Sequence, residues 1–155
     1  MITYQPKIMD LTKTRTFTAK NRTNLVTVDN LLVPGEYRPE PFDSQEFTIL
    51  CEKMKEARRN HRPVVCFFGA HVIKCGLSKY LLWFLRNGYI THLAGNGACS
   101  IHDFELSYLG GTSEHVPTAI EDGTFGMWEE TGRWMNEAII AGASQNYGYG
   151  ESLAH

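Results

Sequence analysis

Two glycine-bracketed loops contain the residues whose types and spacing best suit the binding of an anionic ligand. The first loop extends from Gly69 to Gly76, and the second from Gly95 to Glu105. Glycine lets the backbone approach a ligand closely, and lysine and histidine can meet a phosphate or a carboxylate. Within these loops the predicted ligand contacts are Gly69, Ala70, His71, Lys74, Cys75, Gly76, Gly95, Asn96, Gly97, Ser100, His102 and Asp103.

Both loops follow apolar runs that indicate strands, Val64–Phe68 and Ile90–Ala94, and Leu77–Asn87 between them is the predicted crossover helix. A strand–helix–strand unit almost always makes its two strands parallel. Both loops then leave the sheet at one edge, where helix N-termini offer N–H groups and a partial positive charge to an anion. The first hypothesis is therefore a nucleotide-sized anionic ligand at this edge.

The side chains of the first loop have structural as well as functional interpretations, because the loop matches neither Gly-x-Gly-x-x-Gly nor the Walker pattern. Lys74 would neutralise a phosphate in one interpretation and would be an ordinary surface lysine in the other. Cys75 is predicted just before a helix start, where the helix dipole activates a thiol. No base neighbours Cys75 in the sequence, so a packing role is favoured over that of a nucleophile.

The second loop contains residues that fit a helix start. Ser100 and Asp103 have the spacing of a capping box. Asp103, near the end of a strand, would also suit a ribose hydroxyl. His102 is either a solvent-facing residue of the cap or a ligand contact and acid–base group. Asn96 lies between two glycines and suits left-handed backbone geometry, which already explains it structurally.

The same residues support a second hypothesis, a hydrolase or lyase that acts on a small anion through His71, His102 and Lys74. A metal-dependent version has little support from spacing, because the chain has no His-x-x-x-His pair and a catalytic zinc needs three protein ligands. No metal site is therefore assigned. Glu129 and Glu130 do not suit a two-carboxylate mechanism, because adjacent helical residues point to different sides.

The composition is that of an ordinary globular protein, with 155 residues, 43% of them hydrophobic, and a formal net charge of −2. This balance argues against nucleic-acid and anionic-membrane partners. The basic residues Lys53, Lys55, Arg58 and Arg59 are interpreted as a solvated helix end that complements the helix dipole. Since no run could span a bilayer and the first residues show no signal pattern, we expect a cytoplasmic protein with free thiols.

The chain is expected to consist of an N-terminal arm, residues 1–42, and an α/β domain, residues 43–155. In the arm only Leu25–Val28 has the pattern of a strand. Further helices are predicted from Asp43 to Asn60, from Ser100 to Tyr108 with Gly110-Gly111 closing it, and from Met127 to Gly142. A loop or broken helix is predicted from Thr112 to Phe125. The aromatic side chains expected to build the core are Trp83, Phe84, Trp128 and Trp134. The predicted fold class is a Rossmann-like parallel sheet of two to four strands with a helix-rich C-terminal third.

A parallel sheet normally has more strands and two covered faces, so we expect an incomplete domain. Its exposed strand edges favour pairing with another chain. A third hypothesis is therefore a non-enzymatic structural remnant that completes its sheet only in an oligomer. The expected partners are a small-molecule or nucleotide ligand and either a second copy of the chain, in a homo-oligomer, or a separate C-terminal half.

The segment from Pro63 to Asn136 resembles a bacterial family of poorly characterised proteins related to deoxyhypusine synthase. That enzyme has an NAD-binding Rossmann-like fold and transfers an aminobutyl group from spermidine to a lysine of a translation factor. The resemblance implies NAD as the cofactor, with His71–Gly76 and Gly95–Asp103 contacting the dinucleotide. It is carried by Phe68–Gly76, Thr91–Gly97, Ile101–Glu105 and Asp122–Gly126.

The chain also departs from the pattern of that family. Cys75 stands where the synthase has serine, Gly95-Asn-Gly-Ala98 replaces a Thr-Ala-Gly-Gly type of sequence, and Cys99 stands where the bacterial relatives have a small residue. The active-site lysine of the synthase lies in a carboxyl-terminal half that has no counterpart here. The resemblance therefore implies a truncated or split protein that binds a dinucleotide, and it leaves a transferase or oxidoreductase activity open.

Overall fold

A computed structural model describes residues 8–155, which form two compact units. The continuous unit is Thr23–His115. The terminal unit consists of residues 8–22 together with Val116–His155. The predicted boundary after residue 42 falls inside the continuous unit, because the chain before that boundary contributes a strand to it.

Short strands and helices alternate along most of the continuous unit. In chain order they are β1 (Asn24–Thr27), α1 (Gln45–Arg59), β2 (Val65–Phe67), α2 (Ala70–Lys74), α3 (Ser78–Arg86), β3 (His92–Ala94), α4 (Gly97–Leu109) and β4 (Gly111–Glu114). The terminal unit contains α5 (Val116–Glu121), α6 (Glu129–Ala143) and α7 (Tyr149–Ala154). The chain is thus of the α/β class, with few strands and a helical C-terminal part. No helix in residues 8–155 combines the length and the apolar character that a membrane crossing requires.

β2 and β3 form a parallel pair, with Val65 opposite His92 and Phe67 opposite Ala94. The Phe68 N–H donates to Ala94 O at 3.0 Å and extends the pair by one residue. α3 supplies the crossover between the two strands. The prediction of two parallel strands joined by a helix is therefore confirmed.

β1 and β4 form a second, antiparallel pair, with Asn24 opposite Glu114 and Val26 opposite Thr112. The expectation of one parallel sheet is wrong for the part of the chain that the structure describes, because its four strands form two separate pairs. β4 was predicted as loop or broken helix. Its sequence, Gly-Thr-Ser-Glu, has no apolar alternation, and its pairing with β1 alone makes it a strand.

Two helix starts differ from the prediction. Ser44, and not Asp43, caps α1, since the Phe47 N–H donates to Ser44 Oγ at 3.2 Å. α4 begins at Gly97 with Asn96 as its N-cap, so Ser100 lies inside the helix. The predicted C-terminal ends of these two helices agree better with the structure. Asn60 follows α1 directly, and Gly110 ends α4 in left-handed geometry at φ 67°.

The apolar core of the continuous unit lies between α2 and α4. The buried residues of this core are Ile73, Cys99 and Leu106. The partly buried side chains that pack against them are Leu31, Phe68 and Leu81. The predicted aromatic core is wrong in part, because Trp83 is 41% exposed and Trp134 is 36% exposed. Phe67 on β2 is 82% exposed, so its side of the parallel pair is open to solvent in this chain.

In the terminal unit the segment around Phe17 is bound to the start of α6. The Phe17 N–H donates to Met127 O at 2.8 Å, and the Glu129 N–H donates to Phe17 O at 2.8 Å. Farther along α6, Gly142 faces Ser152 of α7 so closely that a Cβ at Gly142 would overlap the serine. The absence of a side chain at Gly142 therefore permits this helix contact.

Candidate ligand-binding site

Both predicted loops lie at one edge of the parallel pair. Because β2 and β3 run in the same direction, Phe68 and Gly95 leave the pair at the same edge. Gly69 is the N-cap of α2, and Asn96 is the N-cap of α4. α2 and α4 then pack against each other. The expectation that the two loops open helices at a shared edge is confirmed.

The two glycines of the first loop have different surroundings. A Cβ at Gly69 would meet no atom within 4 Å, so open space lies beside this backbone. Gly76 has φ +82°, and a Cβ there would lie 2.5 Å from the carbonyl oxygen of Asn30. Gly76 is therefore required by the fold, because only glycine combines this backbone geometry with such close packing. Gly69 has no such structural requirement and suits the approach of a ligand.

The remaining candidates of the first loop lie on α2 rather than in an irregular loop. His71 is exposed, whereas Ala70 and Lys74 are half-buried. Cys75 is exposed and ends α2, and its N–H donates to His71 O at 2.8 Å. Cys75 also lies two residues before Leu77, the N-cap of α3, so the prediction that it precedes a helix start is confirmed.

Cys99 ties the second loop to the end of β2. Its Sγ lies 3.7 Å from Phe68 O and 3.4 Å from Asn96 Oδ1, and its N–H donates to the same oxygen of Asn96 at 3.3 Å. A Cβ at Gly95 would lie 3.2 Å from Cys99 Sγ. Gly95 and Asn96 therefore have structural roles in this turn. Asn96 has φ −119°, so the left-handed geometry expected for it is wrong.

The predicted capping box of Ser100 and Asp103 is not formed. Ser100 Oγ donates to Gly97 O at 2.8 Å inside the first turn of α4, and Asp103 is exposed on the same helix. Asn96 takes the cap position four residues earlier. Its oxygen is within reach of Cys99 N–H, and the burial of Cys99 favours this earlier helix start.

His102 belongs to a hydrogen-bond network whose other two members, Thr112 and Glu105, were not predicted as site residues. His102 Nδ1 lies 2.7 Å from Thr112 Oγ1, and the hydroxyl of Thr112 donates to Glu105 Oε2 at 2.5 Å. Thr112 is fully buried and Glu105 is 3% exposed. Because the threonine proton goes to Glu105, Nδ1 donates its hydrogen to Thr112.

Part of this network has a signal in the sequence. His102 and Glu105 are three residues apart, so they share one face of α4. Thr112 comes from β4, and that strand was not predicted. In the sequence, Glu105 has the appearance of an ordinary glutamate on the exposed face of a helix, next to the apolar residue Leu106. Only the strand that covers it makes Glu105 a buried acceptor.

No group of three or more His, Cys, Asp or Glu side chains within residues 8–155 could hold a metal ion. No family model, curated protein or solved structure matches the chain. The resemblance to the relatives of deoxyhypusine synthase therefore stays a prediction, and the functional argument rests on the geometry of the site.

Proposed function

We propose that the continuous unit binds NAD or a similar nucleotide at the carboxyl edge of β2 and β3, as a deoxyhypusine-synthase-like protein. One observation carries the proposal. Two parallel strands are each followed at once by a helix, and the N-caps of both helices, Gly69 and Asn96, lie at the same edge. The crevice beyond the carboxyl ends of parallel strands is the usual place for a nucleotide.

The pyrophosphate of the ligand is placed between Gly69 and the start of α4. The first N–H groups of a helix lack partners within the helix, and the dipole adds a partial positive charge. The 13 residues of α4 make it the longer of the two helices that begin here. The open space at Gly69 admits the phosphate, and His71 and Lys74 lie on α2, the helix that begins there.

The proposal assigns smaller roles to several candidates. Gly76, Gly95 and Cys75 are explained by backbone geometry, packing and a helix end. Ser100 and Asp103 lie farther along α4, and the proposal assigns the exposed carboxylate of Asp103 to a ribose hydroxyl. The contacts on which the proposal depends are therefore Gly69, Gly97, His71 and Lys74.

The parallel pair supports an oligomeric protein or one that joins a separate C-terminal half. Val65 and Phe67 project from the same side of β2, and they are 49% and 82% exposed. Parallel strands are normally covered on both faces. We therefore propose that another chain covers this side, in a cytoplasmic protein whose cysteines stay reduced. The reaction itself is left open, because the resemblance places the catalytic lysine outside these residues.

A second candidate function follows from the network of His102. A buried carboxylate that fixes the tautomer of a histidine through a hydroxyl is an arrangement suited to acid–base catalysis. It favours a hydrolase or lyase that acts on a small anion, with His102 as the residue that transfers the proton. Elemental analysis separates a metal-dependent version of this enzyme from the nucleotide-binding protein, since a stoichiometric transition metal would favour the enzyme.

Calorimetric titration of the intact chain with NAD tests the first candidate. We expect saturable binding, which Gly69→Val weakens because the valine fills the open space beside the backbone. Gly148→Val is the matched control. Gly148 is also an N-cap glycine with extended backbone and no atom within 4 Å of a Cβ, but it precedes α7. A folded chain that gives no heat with millimolar NAD, or equal weakening by both variants, would contradict the proposal.

A further inference from the structure

A cleft of about 480 Å³ lies at the C-terminal end of α1. It is lined by Lys55, Arg58, Arg59, His61 and Tyr89. Three of these side chains are cationic, and no carboxylate of residues 8–155 lines the cleft. A concave surface with this composition suits an anion.

The arginines of the cleft are not neutralised by ion pairs within residues 8–155. Lys55 is the exception among the lining cations, since its Nζ lies 2.7 Å from Glu52 Oε1. The Lys55 ammonium holds the pKa of Glu52 below its usual range, and the charge of Arg59 acts in the same direction. The other nearby carboxylate, Glu56, pairs with Lys53 at 3.0 Å, outside the cleft. Within the described residues, the cleft therefore has one paired lysine and two arginines without an ion pair.

The cleft is held in shape by aromatic contacts and by the backbone. The Arg58 guanidinium lies over the ring of Tyr89 at 4.6 Å, and that ring stacks on Trp83 at 5.7 Å with an interplanar angle of 13°. His61 has φ +51°, a left-handed geometry that is uncommon for histidine. Its N–H donates to Arg58 O at 3.2 Å. These contacts orient one guanidinium before any ligand arrives.

The helix dipole explains only part of this arrangement. Arg58 and Arg59 in the last turn of α1 complement the negative end of its dipole, as predicted from the sequence. That effect does not require Tyr89, which belongs to the turn before β3, to lie against them. Arg58 and His61 precede β2, and Tyr89 precedes β3, so the cleft lies toward the amino-terminal ends of the parallel strands. The proposed nucleotide site lies at their carboxyl ends.

We propose that this cleft is a second binding site, which takes a small anion carrying a diphosphate group. The planar fork of arginine matches two phosphate oxygens, and two adjacent arginines with Lys55 and His61 supply enough donors for two phosphates. Since Arg58 and Trp83 already occupy the ring of Tyr89, the site recognises phosphates without stacking a base. The inference does not depend on the nucleotide site at the opposite edge.

Inorganic pyrophosphate titrated into the full chain at low ionic strength tests the proposal. We expect saturable binding and shifts of the backbone amide signals of Arg58–His61 and Tyr89. R58Q combined with R59Q should weaken binding by about ten- to a hundredfold, since charge-assisted hydrogen bonds are lost. R59Q alone should weaken it by a smaller factor, and this variant leaves the contact of Arg58 with Tyr89 in place.

K53Q combined with K79Q is the matched control, because it removes the same charge from α1 and α3 outside the cleft. It should change the affinity by less than about twofold, as expected for screened surface charges. Absence of saturable binding, or an equal loss in the control, would overturn the proposal. Shifts confined to Gly69–His71 and Gly97 would also overturn it by assigning pyrophosphate to the other edge. Tighter binding of a single-stranded oligonucleotide would instead identify a nucleic-acid surface.

Discussion

Glu105 and Glu130 make similar hydrogen bonds in very different surroundings. Glu105 accepts from the Thr112 hydroxyl at 2.5 Å, and both residues are buried. Glu130 accepts from the Thr18 hydroxyl at 2.6 Å and from Ala19 N–H at 2.7 Å, and water reaches it. Water can replace a lost partner of Glu130 but not of Glu105. The same chemistry is therefore expected to stabilise the continuous unit far more than the terminal unit.

The two glutamates also differ in whether they connect to a side chain that can transfer protons. Glu105 is connected through Thr112 to His102, a ring that can transfer protons. Glu130 and its neighbour Glu129 both bind the segment near the N-terminus, since Thr16 Oγ1 donates to Glu129 at 2.5 Å. These interactions explain the adjacent acids of α6 without a catalytic role.

Thr112→Val should have the largest effect on stability. The substitution keeps the shape of the side chain and leaves the buried carboxylate without its hydroxyl donor, which should lower the free energy of unfolding by about 2–3 kcal/mol. Urea unfolding, followed through amide signals of each unit, measures this. Thr23→Val, at an exposed position of the same unit, is the control. A loss below about 0.5 kcal/mol would show that burial does not distinguish the two networks.

Glu130→Gln should have an intermediate effect, with a loss of about 1 kcal/mol in the terminal unit at neutral pH. Glutamine keeps one acceptor oxygen but loses the charge and the second acceptor. Glu121→Gln, on the exposed surface of α5, is the control and should be neutral. If Glu130→Gln destabilised the chain as much as Thr112→Val, the proposed difference between the units would be wrong.

The effect of Glu130→Gln should also depend on pH. The backbone hydrogen bond from Ala19, followed by the Thr18 hydroxyl, holds the pKa of Glu130 below its usual value. A lowered pKa in the folded state stabilises the fold above the ordinary carboxyl pKa of about 4.3, and this stabilisation is lost as the pH falls through the folded value. The two proteins should therefore converge in stability in acid. A constant difference between pH 7 and pH 3 would contradict the assignment.

Arg133→Gln should have the smallest effect. Arg133 pairs with Glu129 at 2.8 Å and with Glu137 at 3.5 Å on the solvent side of α6. Such exposed pairs four residues apart contribute about 0.3–0.5 kcal/mol and weaken with salt. Unfolding at low and high salt should show a small loss that disappears at about 1 M salt. A salt-independent loss would place Arg133 among the structural contacts of Glu129 rather than on the surface.

The features that could be predicted from the sequence are local ones. The apolar runs before Gly69 and Gly95 predicted two strands, and the span between them predicted a helix. The end of α4 followed from Gly110, which takes the left-handed geometry that glycine favours. The start of α4 could not be predicted in the same way. Asn96 and Ser100 both suit a helix cap, and the packing of Cys99 beside Phe68 distinguishes them.

The parallel pair and the two loops at its edge could be predicted from local sequence, because strand and helix periodicity are properties of neighbouring residues. Which loop residues are structural depends on the fold, since the need for glycine at position 76 arises from Asn30. The tertiary structure also decided the network of His102. β4 pairs with β1, a segment far away in the chain, and this pairing brings Thr112 between His102 and Glu105. Hydrogen bonds across such distances leave no local pattern.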